Sequence, residues 1–557
     1  MKRKTNMKIS NSIILVVLTL LFSIAIVGCA ATEVPPSTEN ANLLEMVLFQ
    51  PSSNCIACHQ GMKDTLGNDV AINTEWQSSI MANAARDPYY LASVRMETLE
   101  SPQLSEAIEE KCAICHAPMA RLSNDAKGES THMFGDQGII VAEHPLFNLA
   151  VDGVSCTVCH QIPENPVDDF RHSSDMAIDL DLSASKRFIF GPFPISEENV
   201  NMMKSASGFT AEQSEHILES ATCATCHELY LNYIKDDSTL SSGDELFYEQ
   251  TPYSEWLASD YAGESSCQYC HMPYVEGAVS ISNLTPENLH EPFARHTFTG
   301  GNVFMLNLLG TFSDEVGFPG SIAALDQHTS RTEDILQNQS ASLAVSVVEQ
   351  QDDTLTFKVG IDVLTGHKFP TSFPSRRTWL HVIVSDAQGN MVFESGGYDV
   401  TGEIFGNAND EDPSSFEPHY DLITSSDQVQ IYEPIMKDVS GEVTTFQMLA
   451  AGYLKDNRLL PDGFDKQNPP PVSSVTGEAL QDSTFIGGSD SLLYQVPTNG
   501  ASGPFTVQVE MLYQSVSYRW ALNVLNSNSE EAQTFGRMLD KTGNIPVLIA
   551  SQTVQSQ

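Results

Sequence analysis

The stretch Ser265-Ser266-Cys267-Gln268-Tyr269-Cys270-His271 decides how the chain is read. Two thiols separated by two residues, with an imidazole directly after the second, meet the requirement for covalent haem attachment. The thiols add to the two vinyl groups of one porphyrin, and the His stands under the iron as its proximal ligand. The same pattern occurs at Cys55/Cys58/His59, Cys112/Cys115/His116, Cys156/Cys159/His160 and Cys223/Cys226/His227. A single copy could be chance or a thiol redox pair. Five copies use all but one of the 11 cysteines and leave only Cys29, so no disulfide framework is on offer. Five c-type haems are the expected cofactors.

The motifs crowd into residues 55–271, too densely for one small domain per haem. This part is expected to be short helices and loops around closely packed haems, with helices over Ser105–Cys112 and Ala211–Cys223 running into their motifs. Irregular stretches are expected over 121–144 and 161–194. Near residue 340 the texture changes. Ser342–Val348, Thr354–Val363, Trp379–Asp386 and Phe505–Tyr513 alternate apolar and polar residues as half-buried strands do. Ala387-Gln388-Gly389-Asn390 reads as a hairpin turn, and a helix is expected near Glu530–Leu539. The fold class is therefore α+β and multidomain: a helix- and loop-rich multihaem domain at 51–310, a linker at 311–340 and a β-sandwich-like domain at 341–557. A weak repeat joins Glu75-Trp76-x-x-Ser79-x-Met81-Ala82 to Glu255-Trp256-x-x-Ser259-x-Tyr261-Ala262.

The N-terminus reads as an export signal over 1–28. Lys2, Arg3, Lys4 and Lys8 precede an apolar run, Ile13–Val27, too short for a comfortable membrane span. It ends in Ile26-Val27-Gly28-Cys29, which resembles a bacterial lipobox. That resemblance implies cleavage before Cys29 and lipidation of its thiol. With Ala30 next, it also implies sorting to the outer membrane. Residues 29–50, with Pro35-Pro36-Ser37-Thr38, read as a tether. An uncleaved anchor and plain secretion are the alternatives, and all three readings place the chain outside the cytoplasm, where c-type haem is attached.

Net charge is −44, from 28 basic and 72 acidic residues. Such a surface repels polyanions and excludes nucleic acid as a partner. It favours a basic redox protein or an extracellular electron acceptor, and it leaves assembly with further copies open. Asp410-Glu411-Asp412 has the charge for Ca²⁺ but no ligand loop, and reads as solvated.

The sixth position of each iron largely sets what a haem does: filled by protein, it transfers electrons; open, it binds substrate. Ten His lie beyond the motifs, enough to fill every iron. His216 precedes Cys223 by one to two turns. His144 lies in Glu-His-Pro ahead of the third motif. His296 stands before Gly300-Gly301, and His367 lies between a strand and a Pro-rich loop. These four are candidate distal ligands. His381, within a strand, reads as structural and His419 as surface. His132, His172, His290 and His328 stay unassigned. Arg86, Arg171 and Arg295 could pair with an anionic substrate but read first as structural.

Trp76-Gln-Ser-Ser-Ile-Met-Ala, Asp152-Gly-Val-Ser-Cys-Thr-Val-Cys-His, Cys223-Ala-Thr-Cys-His and Ser266-Cys-Gln-Tyr-Cys-His-Met-Pro carry a family resemblance. Thr365-Gly-His-Lys-Phe-Pro-Thr and Tyr513-Gln-Ser-Val-Ser-Tyr-Arg-Trp extend it. The chain resembles the bacterial multihaem cytochromes related to hydroxylamine oxidoreductase and its tetrahaem partners. In that group a Trp-x-x-Ser-x-His-Ala pattern presents a distal His. Here Met81 and Tyr261 hold that place, which implies His/Met ligation of one haem through Met81 and leaves Tyr261 to pack on a haem edge, donate a hydrogen bond or leave an iron without its usual ligand. The resemblance carries over no enzymatic activity. Pentahaem nitrite reductases match in haem number, but their active haem uses a C-x-x-C-K motif absent here. The expected function is electron transfer at the outer membrane or cell surface. The alternative is a multihaem oxidoreductase with one open iron, acting on a small nitrogen or sulfur compound.

Overall fold

Alternating side chains build the C-terminal part. The structure, a computed structural model, describes residues 47–164, 178–184 and 186–556. The readings made for the export signal, Cys29, the first 18 tether residues, Arg171 and His172 lie outside the described residues. Strands β1 (Ala341–Gln351) and β2 (Thr354–Val363) pair as an antiparallel hairpin. With β5 (Leu422–Ile423) and β7 (Ser489–Pro497) they form a sheet in the order β5-β7-β2-β1. A second sheet runs β4-β3-β8-β9, from Met391–Ser395, Arg377–Ser385, Thr506–Gln514 and Val547–Gln555. The short strand β6 (Ile431–Tyr432) pairs with β3.

Leu355, Phe357, Val359 and Ile361 of β2 occupy every second position. They meet Leu380, Val382 and Val384 of β3 and Val507 and Val509 of β8 in one dry core. Asp386 turns the β3–β4 hairpin by accepting the N–H groups of Gln388 and Asn390. His381 sits across strands from Glu510 and Glu394, at 3.2 and 3.0 Å. Trp379 is fully buried and donates to the Gly396 carbonyl at 2.9 Å. Gly396 has φ +75°, and a Cβ there would stand 2.4 Å from the Leu380 carbonyl oxygen. Gly396→Ala is therefore expected to cost about 2 kcal/mol, read as a lower urea midpoint with unchanged slope. An unchanged midpoint would show that the turn relaxes freely.

The helices tie the two ends of the chain together. Helix α1 (Pro88–Glu100) starts at Asp87, whose carboxylate caps Tyr90 N–H at 3.0 Å, with Pro88 in the first turn. Helix α2 (Ser105–His116) carries the second motif at its end. Further on come α3 (Val303–Thr311), α4 (Ile322–Gln339), α5 (Tyr518–Leu525) and α6 (Glu530–Thr542). Tyr89 and Met96 of α1, Phe304 and Leu308 of α3, Trp520 of α5 and Phe535 of α6 share one core. Arg95 and Glu531 bridge α1 and α6 at 3.3 Å. From Leu48 onward the chain therefore forms a single unit.

Two expectations are corrected. The supposed linker 311–340 is mostly α4, which buries Ala324, Leu325, His328, Thr332 and Leu336 along one stripe. Ala211–Cys223 is not one helix. A short strand, Thr210–Gln213, a 3-10 turn, Glu215–Leu218, and a five-residue helix, Ser220–Ala224, replace it. Among the described residues no helix is long and apolar enough to cross a membrane.

Candidate functional site

Four of the motifs sit on helices of four or five residues and the second at the end of the 12-residue α2, and all five face one continuous cavity of about 1640 Å³. Ordinary small-molecule pockets hold about 300–1,000 Å³. All ten motif cysteines and all five motif histidines line it, and none of the ten cysteines is in a disulfide. The cysteines also meet across motifs. Cys55 and Cys156 are hydrogen-bonding neighbours, as are Cys115 and Cys226, and Cys223 and Cys267. Cys159 is within electrostatic reach of Cys223 and Cys226. The first motif therefore adjoins the third, the second the fourth and the fourth the fifth, with the third in reach of the fourth.

At four of the five motifs the His also meets the second requirement of a haem site. An iron-ligating imidazole must be neutral and held by its other nitrogen. His59 donates from Nδ1 to the Ile281 carbonyl at 2.7 Å, His116 to Ala84 at 3.0 Å, His160 to Phe190 at 2.5 Å and His271 to Thr299 at 2.6 Å. Each such bond leaves Nε2 as the ring nitrogen with the free lone pair. Burial lowers the pKa of His116 and of His227 to about 4, so both rings are neutral. Tyr90 stacks on His116 at 3.6 Å.

The distal candidates divide. His367 lies in the cavity opposite His271, ring centroids 6.2 Å apart and planes within 13°. An iron held between the two imidazoles, with metal–nitrogen bonds of about 2 Å, would require a separation of that size. His296 and Met81 also line the cavity. His216 and His144 do not. His216 donates from Nε2 to the Ile162 carbonyl at 2.8 Å and accepts the Ser214 hydroxyl on Nδ1 at 2.7 Å, so its only lone pair is taken. His144 accepts the Leu146 N–H on Nδ1 at 3.1 Å. His216→Ala is expected to leave the haem spectra of the protein unchanged while costing about 1–3 kcal/mol for the carbonyl left unpaired. A new high-spin signal would instead make it a ligand.

Sequence reasoning left His290 and His328 unassigned, yet both line the cavity. His328 is buried with Nδ1 unpartnered, and burial lowers its pKa to about 4. Its place on the α4 stripe was the available signal. Tyr261 hydrogen-bonds the Leu364 carbonyl at 3.1 Å and so packs on the loop that carries His367. His419, read as surface, is buried. Its Nε2 faces Asp482 at 3.1 Å, and its Nδ1 accepts from Gln430 and Asn457. Asp410 is likewise buried, salt-bridged to Arg377 at 2.9 Å rather than solvated. Arg295 is committed to Glu75.

Buried acids gather at the second motif. Burial pushes Glu97 up to about 8 and Glu249 up to about 7, and both act electrostatically on Cys112. Glu97 accepts the Gln447 N–H at 2.7 Å, and one Glu249 oxygen has no partner.

No family model matches the chain, and no curated protein does. A similar solved structure is the crystal structure of a penta-heme cytochrome c552 from Thermochromatium tepidum. It is 16% identical, with 92% of this chain and 100% of that one covered, at a TM-score of 0.49.

Proposed function

We propose that this protein is a five-haem c-type cytochrome that transfers electrons. The observation that carries the reading is the cavity itself: five complete attachment motifs face it, and their cysteines touch across motifs. Thioethers at those positions bring the porphyrin edges of successive haems together. Haems held there would pass electrons along the first, third, fourth and fifth motifs, with the second joining at the fourth. The acidic surface suits a basic redox partner or an extracellular acceptor. Export, lipidation at Cys29 and an outer-membrane position belong to the same proposal.

The buried acids at the second motif favour one further reading, an oxidoreductase that draws protons from Glu97 and Glu249 at an open iron. One experiment separates the two. The chain is matured in a host that attaches c-type haem, its haems are counted, and EPR of the oxidised protein is recorded. Five low-spin haems support electron transfer. A high-spin signal of about one haem that changes on adding nitrite or hydroxylamine supports the oxidoreductase. Fewer than five haems per chain overturns both.

A further inference from the structure

The Glu-Trp repeat of the sequence is also a repeat of hydrogen bonds. Trp76 donates its indole N–H to the Val154 carbonyl, and Trp256 donates to the Ser265 carbonyl, each at 2.9 Å. Val154 and Ser265 each stand two residues before a first motif cysteine, Cys156 and Cys267. Both return a bond to the repeat: Val154 N–H to the Met81 carbonyl at 3.0 Å, Ser265 N–H to the Tyr261 carbonyl at 2.9 Å. Ser79 and Ser259 close the two turns alike, their hydroxyls donating to the Trp76 and Trp256 carbonyls at 2.7 Å.

The correspondence continues past the motifs. His160 donates to the Phe190 carbonyl, and Phe190 N–H returns a bond to the His160 carbonyl at 2.7 Å. His271 and Thr299 do the same, with the return bond at 3.2 Å. His59 and His116 lean on Ile281 and Ala84 instead.

The two buried glutamates complete the pattern. Glu75 accepts the backbone N–H of His296 at 3.0 Å and Arg295 Nε at 2.6 Å. Glu255 accepts the N–H of Lys368, next to His367, at 3.2 Å, and is held by Arg458 at 2.9 Å. His296 and His367 both donate from Nδ1 to a backbone carbonyl, Ala294 at 3.2 Å and Lys368 at 2.9 Å, which leaves Nε2 as the ligating atom.

We infer that this repeat is a haem-mounting unit built twice, in which the iron of the third motif takes His296 as its second ligand just as that of the fifth takes His367. Trp76 and Trp256 set the motifs, and Glu75 and Glu255 are positioning residues for the opposing imidazoles. The inference rests on the haem reading above, and a haem count on each protein keeps the two separable.

The test uses the haem-loaded full chain. In His296→Ala, EPR is expected to show a high-spin ferric signal above the wild-type level equal to about one haem, with the haem count unchanged. Combined with Cys156→Ala/Cys159→Ala, which removes the third haem, His296→Ala is expected to add no high-spin signal. Combined with Cys55→Ala/Cys58→Ala, it is expected to add the same signal as before, so either background decides if the other fails to fold. Glu75→Gln is expected to shift the low-spin g values of one haem, and Glu255→Gln those of another, without loss of haem. No high-spin signal in His296→Ala, or a signal that disappears with the first motif's cysteines instead, overturns the pairing. Glutamine variants that only melt earlier, with g values unmoved, overturn the positioning role.

Discussion

Arg458→Met is expected to lower the stability of the protein by about 3–5 kcal/mol. Arg458 sits in a buried network. It reaches Asp456 at 2.8 Å and Glu255 at 2.9 Å, while Lys368 reaches Asp456 at 2.8 Å. All four groups are nearly or wholly out of solvent. Methionine fills similar volume but leaves two carboxylates with one cation between them. Such unpaired buried charge is what makes breaking an ion pair so much costlier than never having built it. Burial alone would raise the Asp456 pKa, yet the charges of Arg458 and Lys368 prevail and hold it well below the usual carboxylate range. A depressed carboxylate stabilises the fold above its unfolded pKa and loses that contribution as pH falls toward its folded one. The gap between wild type and variant is therefore expected to narrow below about pH 4. Denaturant unfolding of the haem-loaded protein at pH 7 and in acid checks both parts. A loss under about 1 kcal/mol, the scale of an exposed pair such as Lys235–Glu245, would sink the account.

His367→Ala is expected to turn about one haem of the five from low-spin to high-spin without reducing the haem count. On the proposed reading Cys267 and Cys270 would still hold the porphyrin and His271 the iron, so only the sixth position would open. Added imidazole is expected to restore the low-spin spectrum by occupying the space of the lost ring. The ring geometry across the gap, 6.2 Å and 13°, is the basis of this expectation. Unchanged low-spin spectra would make that geometry a coincidence of packing. Because Tyr261 holds the Leu364 carbonyl beside this loop, Tyr261→Phe is the milder companion, expected to leave the iron low-spin.

Attachment chemistry is local, so the five motifs, Cys267–His271 among them, could be read from spacing alone, and the structure sets all five on one cavity. The sheets were legible for a similar reason: Leu355, Phe357, Val359 and Ile361 write their buried face directly into the chain. Second ligands are different. His367 meets His271 only because the β2–β3 connection folds back over the fifth motif. His216 had suitable spacing before Cys223, but the chain breaks into strand and 3-10 turn there and commits both of its nitrogens elsewhere. Charge was a poor guide to exposure at Asp410 and His419, because each found its partner on a distant strand or loop. The α4 stripe through Leu325, His328, Thr332 and Leu336 did carry a helical period, so the supposed linker was the avoidable misreading.

The side-by-side cysteines of different motifs also bear on how such a protein can be made. Cys55 adjoins Cys156, and Cys115 adjoins Cys226, although a whole motif intervenes in sequence in each case. If each motif carries a haem, two porphyrins must be seated side by side wherever such thiols adjoin, so attachment would run ahead of collapse, on a chain still open enough for each haem to be delivered singly. The segment that brings His367 follows all five motifs in the chain, so it is free to close over them after they are loaded.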